Sequence, residues 1–177
     1  MLDRFNLLVS TSRGNERNAC REIWYLLNEL GDKSPEVDIT PAIGLVVAQT
    51  SIEPLEAASK IRSILRERPW ELRYVLKITP VERIVQADLA EIASLSHELS
   101  QKIRADESYR VTVRKRHSEL SSKDIIEAVA SKIDRQVDLE NPDKILLVEI
   151  ISHLAGLSVI TPQDTLAVEK EKRTLRR

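Results

Sequence analysis

Apolar residues in this chain recur with two different periods, and the changes of period mark out its elements. Residues 5–9 form a short unbroken apolar run that reads as a buried strand. Ser12, Gly14 and Asn15 follow as turn and cap residues, and Ala19, Ile23, Leu26, Leu27 and Leu30 then return at helical spacing as far as Gly31, which suits a C-terminal cap. Residues 37–40 and 45–50 read as two strands joined by a turn holding Pro41 and Gly44. Pro54 fits the first turn of a second helix with Leu55, Ala58, Ile61 and Leu65 on one face, and residues 74–78 read as a further strand. The order β-α-β-β-α-β is that of a ferredoxin-like split βαβ unit.

The second half follows another plan. Leu89, Ile92, Leu95, Leu99 and Ile103 make residues 88–104 an amphipathic helix. Residues 109–116 alternate, with Tyr109, Val111 and Val113 facing one way and Arg110, Thr112 and Arg114 the other, as in a half-buried strand with an arginine-bearing outer face. Ser121 or Ser122 caps a helix whose apolar face is Ile125, Ile126, Val129, Ile133 and Val137. A turn at Asn141, Pro142 and Asp143 leads into strands at 144–151 and 154–160. No fixed-period repeat appears. The boundary falls near residues 85–88, which gives two domains, 1–86 and 87–177.

Composition narrows the classes of function. The 177 residues are 42% hydrophobic and 31% charged, which suits a folded chain rather than a disordered one. No run is long enough for a membrane span, so a soluble, cytoplasmic protein without a membrane partner is expected. The single cysteine, Cys20, excludes an intramolecular disulfide or a cysteine-based metal site. The four glycines, Gly14, Gly31, Gly44 and Gly156, are too scattered for a dinucleotide or phosphate loop. His97, His117 and His153 fall in three separate elements, and the carboxylates near Asp138, Glu140 and Asp143 suit turn chemistry. No catalytic residues, no metal ligands and no cofactor of the chain's own are therefore expected.

A net charge of −1 excludes a wholly basic nucleic-acid coat but not a basic patch. Residues 102–123 hold Lys102, Arg104, Arg110, Arg114, Lys115, Arg116 and Lys123 against only Asp106, Glu107 and Glu119. A second basic cluster, Lys170, Lys172, Arg173, Arg176 and Arg177, closes the chain. Arg110, Arg114 and Arg116 on one strand, followed by a helix that begins at Ser121, Ser122 and Lys123, could hold successive phosphates. The free N–H groups of a helix start favour anions. An ordinary solvated strand and serine cap is the plainer reading of the same residues. Aromatic pairs of the kind that stack bases on an RNA-recognition sheet are not evident, and Trp24, Tyr25 and Trp70 read as packing or interface residues.

The segment YRVTVRKRH (109–117), the serine-capped helix after it, the turn VDLENPD (137–143) and the strand pair that follows resemble a THUMP domain. The helix at 88–104 is similar to the leading helical part of that family, and the first half to the ferredoxin-like domain that usually precedes it. The fold class implied is α+β: an N-terminal ferredoxin-like domain, then a THUMP domain with a mixed sheet, packed helices and a basic C-terminal tail. THUMP domains generally occur in tRNA methyltransferases, sulfur transferases and deaminases, where they grip the acceptor stem and 3′ CCA end; here no fused catalytic module is recognised. Asn15, Glu16, Arg17 and Glu22, LLNELGD (26–32) and ITPQDTLAVEK (160–170) resemble the stand-alone adaptor for tRNA cytidine acetylation. That resemblance implies tRNA and an acetyltransferase as partners, with acetyl-CoA and ATP belonging to the partner, and no enzymatic activity in this chain. The residues expected to meet the RNA, from the strand face and helix start described above, are Arg110, Arg114, Lys115, Arg116, Ser122 and Lys123, with the basic C-terminal tail assisting. Arg13 and Arg17 are a weaker candidate surface. The competing readings are a protein-docking subunit, the RNA-binding subunit of a methylating or thiolating complex, or an enzyme with an unrecognised site.

Overall fold

The computed structural model describes residues 1–177, which divide into two compact units, Met1–Val81 with Asp164–Arg177, and Glu82–Gln163. In the first, the opening apolar run becomes β1 (Leu7–Ser10) and the helical periodicity becomes α1 (Glu16–Glu29). Then come β2 (Glu36–Ile39), β3 (Leu45–Gln49), α2 (Pro54–Glu67) and β4 (Lys77–Pro80). β1 sits between β3 and β4, β2 lies outside β3, and every pairing among them is antiparallel. That is the ferredoxin-like arrangement the order of elements predicts. Leu7, Val9, Val46, Ala48 and Ile78 lie in one core with Ile23, Leu26 and Leu27 of α1 and Ile61 and Leu65 of α2. Burial of each large apolar side chain contributes roughly 1.5–3 kcal/mol.

Three carboxylates fix this unit's loops. Glu16, in the first turn of α1, accepts the Gly44 N–H at 2.9 Å. Glu22 accepts the N–H groups of Tyr74 and Val75, at 2.9 and 2.7 Å, and that of Arg73. This explains why the last strand starts at Lys77 rather than at residue 74: a side chain has taken the backbone donors that a strand ladder would use. Asp32 is buried and accepts the Thr50 hydroxyl at 2.7 Å and the N–H groups of Ser51 and Ser34. Burial alone raises its pKa, but these hydrogen bonds outweigh it and hold the carboxyl below its ordinary value. Gly31, at φ 108°, ends α1 as the sequence predicts, with the Asp32 N–H returning to the Leu27 carbonyl.

The C-terminal stretch belongs to this first unit, not to the second domain that the sequence assigns it to. β10 (Leu166–Ala167) adds to β4, and α5 (Val168–Leu175) follows it. Glu171 of α5 pairs with Arg62 at 3.1 Å and Arg66 at 3.4 Å on α2, and Lys172 donates to the Leu72 carbonyl. Buried Leu166 and Val168 draw this segment into the first core, so the basic tail is an ordered helix.

The second unit contains β5 (Arg83–Gln86), α3 (Leu89–Leu99), β6 (Ser108–Arg116), α4 (Ser122–Ala130), β7 (Gln136–Val137), β8 (Lys144–Ile151) and β9 (Leu154–Ile160). The sheet order is β5-β9-β8-β6-β7, with β6 parallel to both β7 and β8 and the other pairs antiparallel. β6, α4 and β8 thus form a crossover unit inside a mixed sheet. One sheet face, with Tyr109, Leu146, Val148, Ile150, Leu157 and Val159, shares a core with Ile92 and Leu95 of α3 and Ile125 and Val129 of α4. α4 is shorter than predicted. Lys132 and Ile133 close it with tighter turns, and Val137 leaves the helix to pair with Tyr109 as part of β7, where it is exposed. No helix of the chain is long and apolar enough to cross a membrane.

Candidate nucleic-acid interface

The alternation in β6 places the predicted site residues on two faces. Tyr109, Val111 and Val113 pack with the core shared by α3 and α4. Lys115 has the same parity and donates through Nζ to the Leu120 carbonyl at 2.6 Å, just ahead of α4. Arg110, Arg114 and Arg116 share the opposite face. The strand therefore separates three arginines from the lysine and helix start that the sequence grouped with them.

The arginine face is organised by a residue that the sequence reading did not single out. Glu149 of β8 is 1% exposed and stands directly opposite Arg114 in the ladder. One carboxylate oxygen accepts from Arg114 Nη1 at 3.3 Å, and the other from Arg116 Nη1. A single buried carboxylate thus holds two guanidinium groups that remain partly exposed, at 42% and 27% of their side-chain surface. The three groups together carry one net positive charge, spread over two forks whose remaining N–H donors are free to meet an anion. The signal was present in the chain, since Glu149 is the one carboxylate within KILLVEII, and a charge in a buried strand calls for a partner. Arg110, further back on the strand, donates through Nε to the Thr112 hydroxyl at 3.3 Å and through Nη1 to the Leu139 carbonyl at 3.0 Å. It ties the strand to the VDLENPD turn.

That turn is firmly built. Asp138 donates its N–H to the Tyr109 carbonyl, and its Oδ1 accepts the N–H groups of Glu140 and Asn141. Asp143 accepts both the N–H and the hydroxyl of Ser108. Asp138 and Asp143 are therefore backbone fasteners.

At the other end of the strand, His117 turns the chain with φ 55° into the loop leading to α4. Ser121 is the cap: its hydroxyl accepts the Asp124 N–H at 3.3 Å. Ser122 is the first helical residue and so contributes a backbone N–H rather than a capping hydroxyl. Lys123 is 82% open, with only a 3.9 Å approach to Glu127 one turn on. Lys115, the free N–H groups of the first turn of α4 and Lys123 form a second small anion-attracting cluster. His97 meets the Lys132 carbonyl at 2.8 Å, and His153 lies between β8 and β9. No group of three or more His, Cys, Asp or Glu side chains converges to hold a metal ion.

The second unit combines a mixed sheet with a parallel β6–β8 crossover, an arginine-bearing strand, a serine-capped helix and the VDLENPD turn. Residues 86–160 match the family model of the THUMP domain, so the chain carries a THUMP domain in its second unit. Among known proteins, the chain is similar to the uncharacterized protein MJ0421 of Methanocaldococcus jannaschii, with 31% identity over 58% of this chain and 31% of that one. The structure of PH1313 from Pyrococcus horikoshii matches 90% of this chain and 56% of its own, with a TM-score of 0.66 and 20% identity. A 4-thiouridine synthetase, solved in complex with RNA and ATP, matches 89% of this chain and 42% of its own, with a TM-score of 0.52 and 14% identity. The likeness to these two structures is one of fold. The chain spans about a third of the length of the curated relative it matches and about half the length of the first structural relative.

Proposed function

We propose that this chain is an RNA-binding adaptor that presents the acceptor stem and 3′ end of tRNA to a separate modifying enzyme, and that the reaction served is 4-acetylcytidine formation. The observation that carries the RNA-binding part is the β6 strand within the THUMP domain. Arg110, Arg114 and Arg116 occupy one face, and Lys115, the start of α4 and Lys123 occupy the other. Such groups bind phosphate through charge and shape without base stacking. The RNA held by the 4-thiouridine synthetase of similar fold supports the same ligand class.

Assignment of the chemistry to a partner is supported by what the acidic residues do. Glu16, Glu22, Asp32 and Asp143 hold backbone N–H groups, and Glu107 and Glu149 hold cations. Acetylation, rather than methylation or thiolation, rests on the resemblance carried by residues 15–32 and 160–170.

Binding to full-length tRNA and to tRNA trimmed of its 3′ CCA, across a salt series, tests the first part. Tight, salt-sensitive binding that weakens on trimming is expected, with Arg114→Glu/Lys123→Glu losing at least ten-fold in affinity. Unchanged binding by that variant would refute the assignment. Acetyl transfer to tRNA by a separate acetyltransferase, with and without this chain, tests the second part. Binding without any stimulation would redirect the adaptor to another modification.

A further inference from the structure

A groove on the first unit, outside the residues of the THUMP match, has the composition of a nucleotide-stacking site. It is lined by Pro69, Trp70, Lys172, Leu175 and Arg176. Trp70 is 66% exposed, the most open aromatic side chain in the chain. It sits in a short 3₁₀ turn, Pro69–Glu71, directly after α2. That turn is pinned rather than loose: the Glu71 N–H returns to the Arg68 carbonyl, and Arg68 is paired with Glu29 of α1 and with Glu71 at 3.7 Å.

The facing wall is α5, and it too is anchored. Glu171 faces the arginines of α2, the Val168 N–H bonds the Leu76 carbonyl, and Lys172 bonds the Leu72 carbonyl. This orientation turns Glu171 towards α2, and the charged residues that line the groove, Lys172 and Arg176, are both cations. No carboxylate lies within ion-pair distance of Arg173, Arg176 or Arg177. The sequence marked both Trp70 and the basic terminus, but RNA contact by the β6 strand uses neither.

We propose that this groove binds an unpaired nucleotide of RNA, with the base stacked on the Trp70 indole and its phosphates met by Arg176 and the neighbouring Arg173 and Arg177. The proposal rests on the RNA-binding reading above and adds a second contact to it. The occupant follows from the chemistry. An exposed indole on a pinned turn offers a face that every base can stack on, and the cations beside it favour a ligand that is planar and anionic at once. A protein partner would have to bring an acidic apolar segment to the same place, and that outcome is separable.

The test uses the full chain carrying Trp24→Phe, so that all tryptophan emission comes from Trp70. Titration with oligocytidylate, an unstructured RNA, is expected to quench that emission to saturation. Against the same RNA, Trp70→Ala is expected to lose about ten-fold in affinity with an unchanged salt slope, and Trp70→Phe to recover most of it. Arg176→Glu is expected to weaken binding and to make the salt slope shallower by about one phosphate contact. Unquenched emission while RNA binds, or wild-type affinity in Trp70→Ala, would overturn the proposal. So would a Trp70→Ala defect seen only in binding to a protein. If tRNA binding persists and depends on Arg114 and Lys123 while Trp70 stays silent, the groove alone is rejected. If the intact chain binds no RNA of either kind, both readings fall together.

Discussion

Arg114 and Glu149 stand opposite each other across the parallel β6–β8 ladder, 3.3 Å apart, and Glu149 also holds Arg116. A buried carboxylate shared by two half-open arginines both positions and partly neutralises them. Glu149→Gln keeps the shape but removes the charge. It should lower unfolding stability by about 1–3 kcal/mol in urea denaturation, less than the loss from breaking a fully buried pair because the arginines reach water. The same variant should bind tRNA more tightly and with a steeper salt dependence, because two cations are released for phosphate. Weaker binding by a folded Glu149→Gln would show that orientation of the arginines outweighs their free charge.

Asp32 links the end of α1 to the residues after β3. Its folded pKa is depressed, against burial, by the bonds from Thr50, Ser51 and Ser34. Its contribution is therefore fully present above the unfolded value of about 3.9 and disappears as pH falls through the lower folded value. Asp32→Asn should lower stability at neutral pH and flatten the acid limb of the stability curve. An unaltered acid limb, followed by urea titration between pH 2 and 6, would contradict this account.

Gly44 and Gly14 both have positive φ, at 74° and 88°, yet they should respond differently to alanine. A Cβ at Gly44 would stand 2.7 Å from the Thr11 carbonyl oxygen, whereas nothing lies within 4 Å of one at Gly14. Gly14→Ala should cost only the conformational penalty of about 1–2 kcal/mol. Gly44→Ala should cost more, since it also displaces the bonds to Thr11 and Glu16. Thermal unfolding of the two variants side by side checks the order.

Ser121 caps α4, the helix whose start carries the second cationic cluster. Ser121→Ala should destabilise the chain by about 1 kcal/mol, read as a lower midpoint in denaturant. Ser122→Ala should be nearly neutral, because Ser122 contributes only its backbone. Equal losses from both would place the helix start elsewhere.

The order of elements, most strand positions and the arginine face of β6 were legible in the chain alone. They were so because hydrophobic period is a local property: KILLVEII and LAGLSVI can hardly be anything but strands, and YRVTVRKR alternates in plain view. Tertiary structure decided everything that depends on partners distant in the chain. Residues 74–75 look like a strand but give their N–H groups to Glu22, a choice that only the packing of α1 reveals. The C-terminal residues look like a basic tail of the second domain, yet Leu166 and Val168 find their core in the first. Arg114 and Arg116 look like free phosphate ligands, but Glu149, more than 30 residues away, holds both. Lys115 shares the strand with those arginines yet lies on its other face, since adjacent side chains in β structure point to opposite faces. Local pattern fixes what each segment becomes, and the long-range choice of partner for each buried charge and donor fixes which cations remain for a ligand.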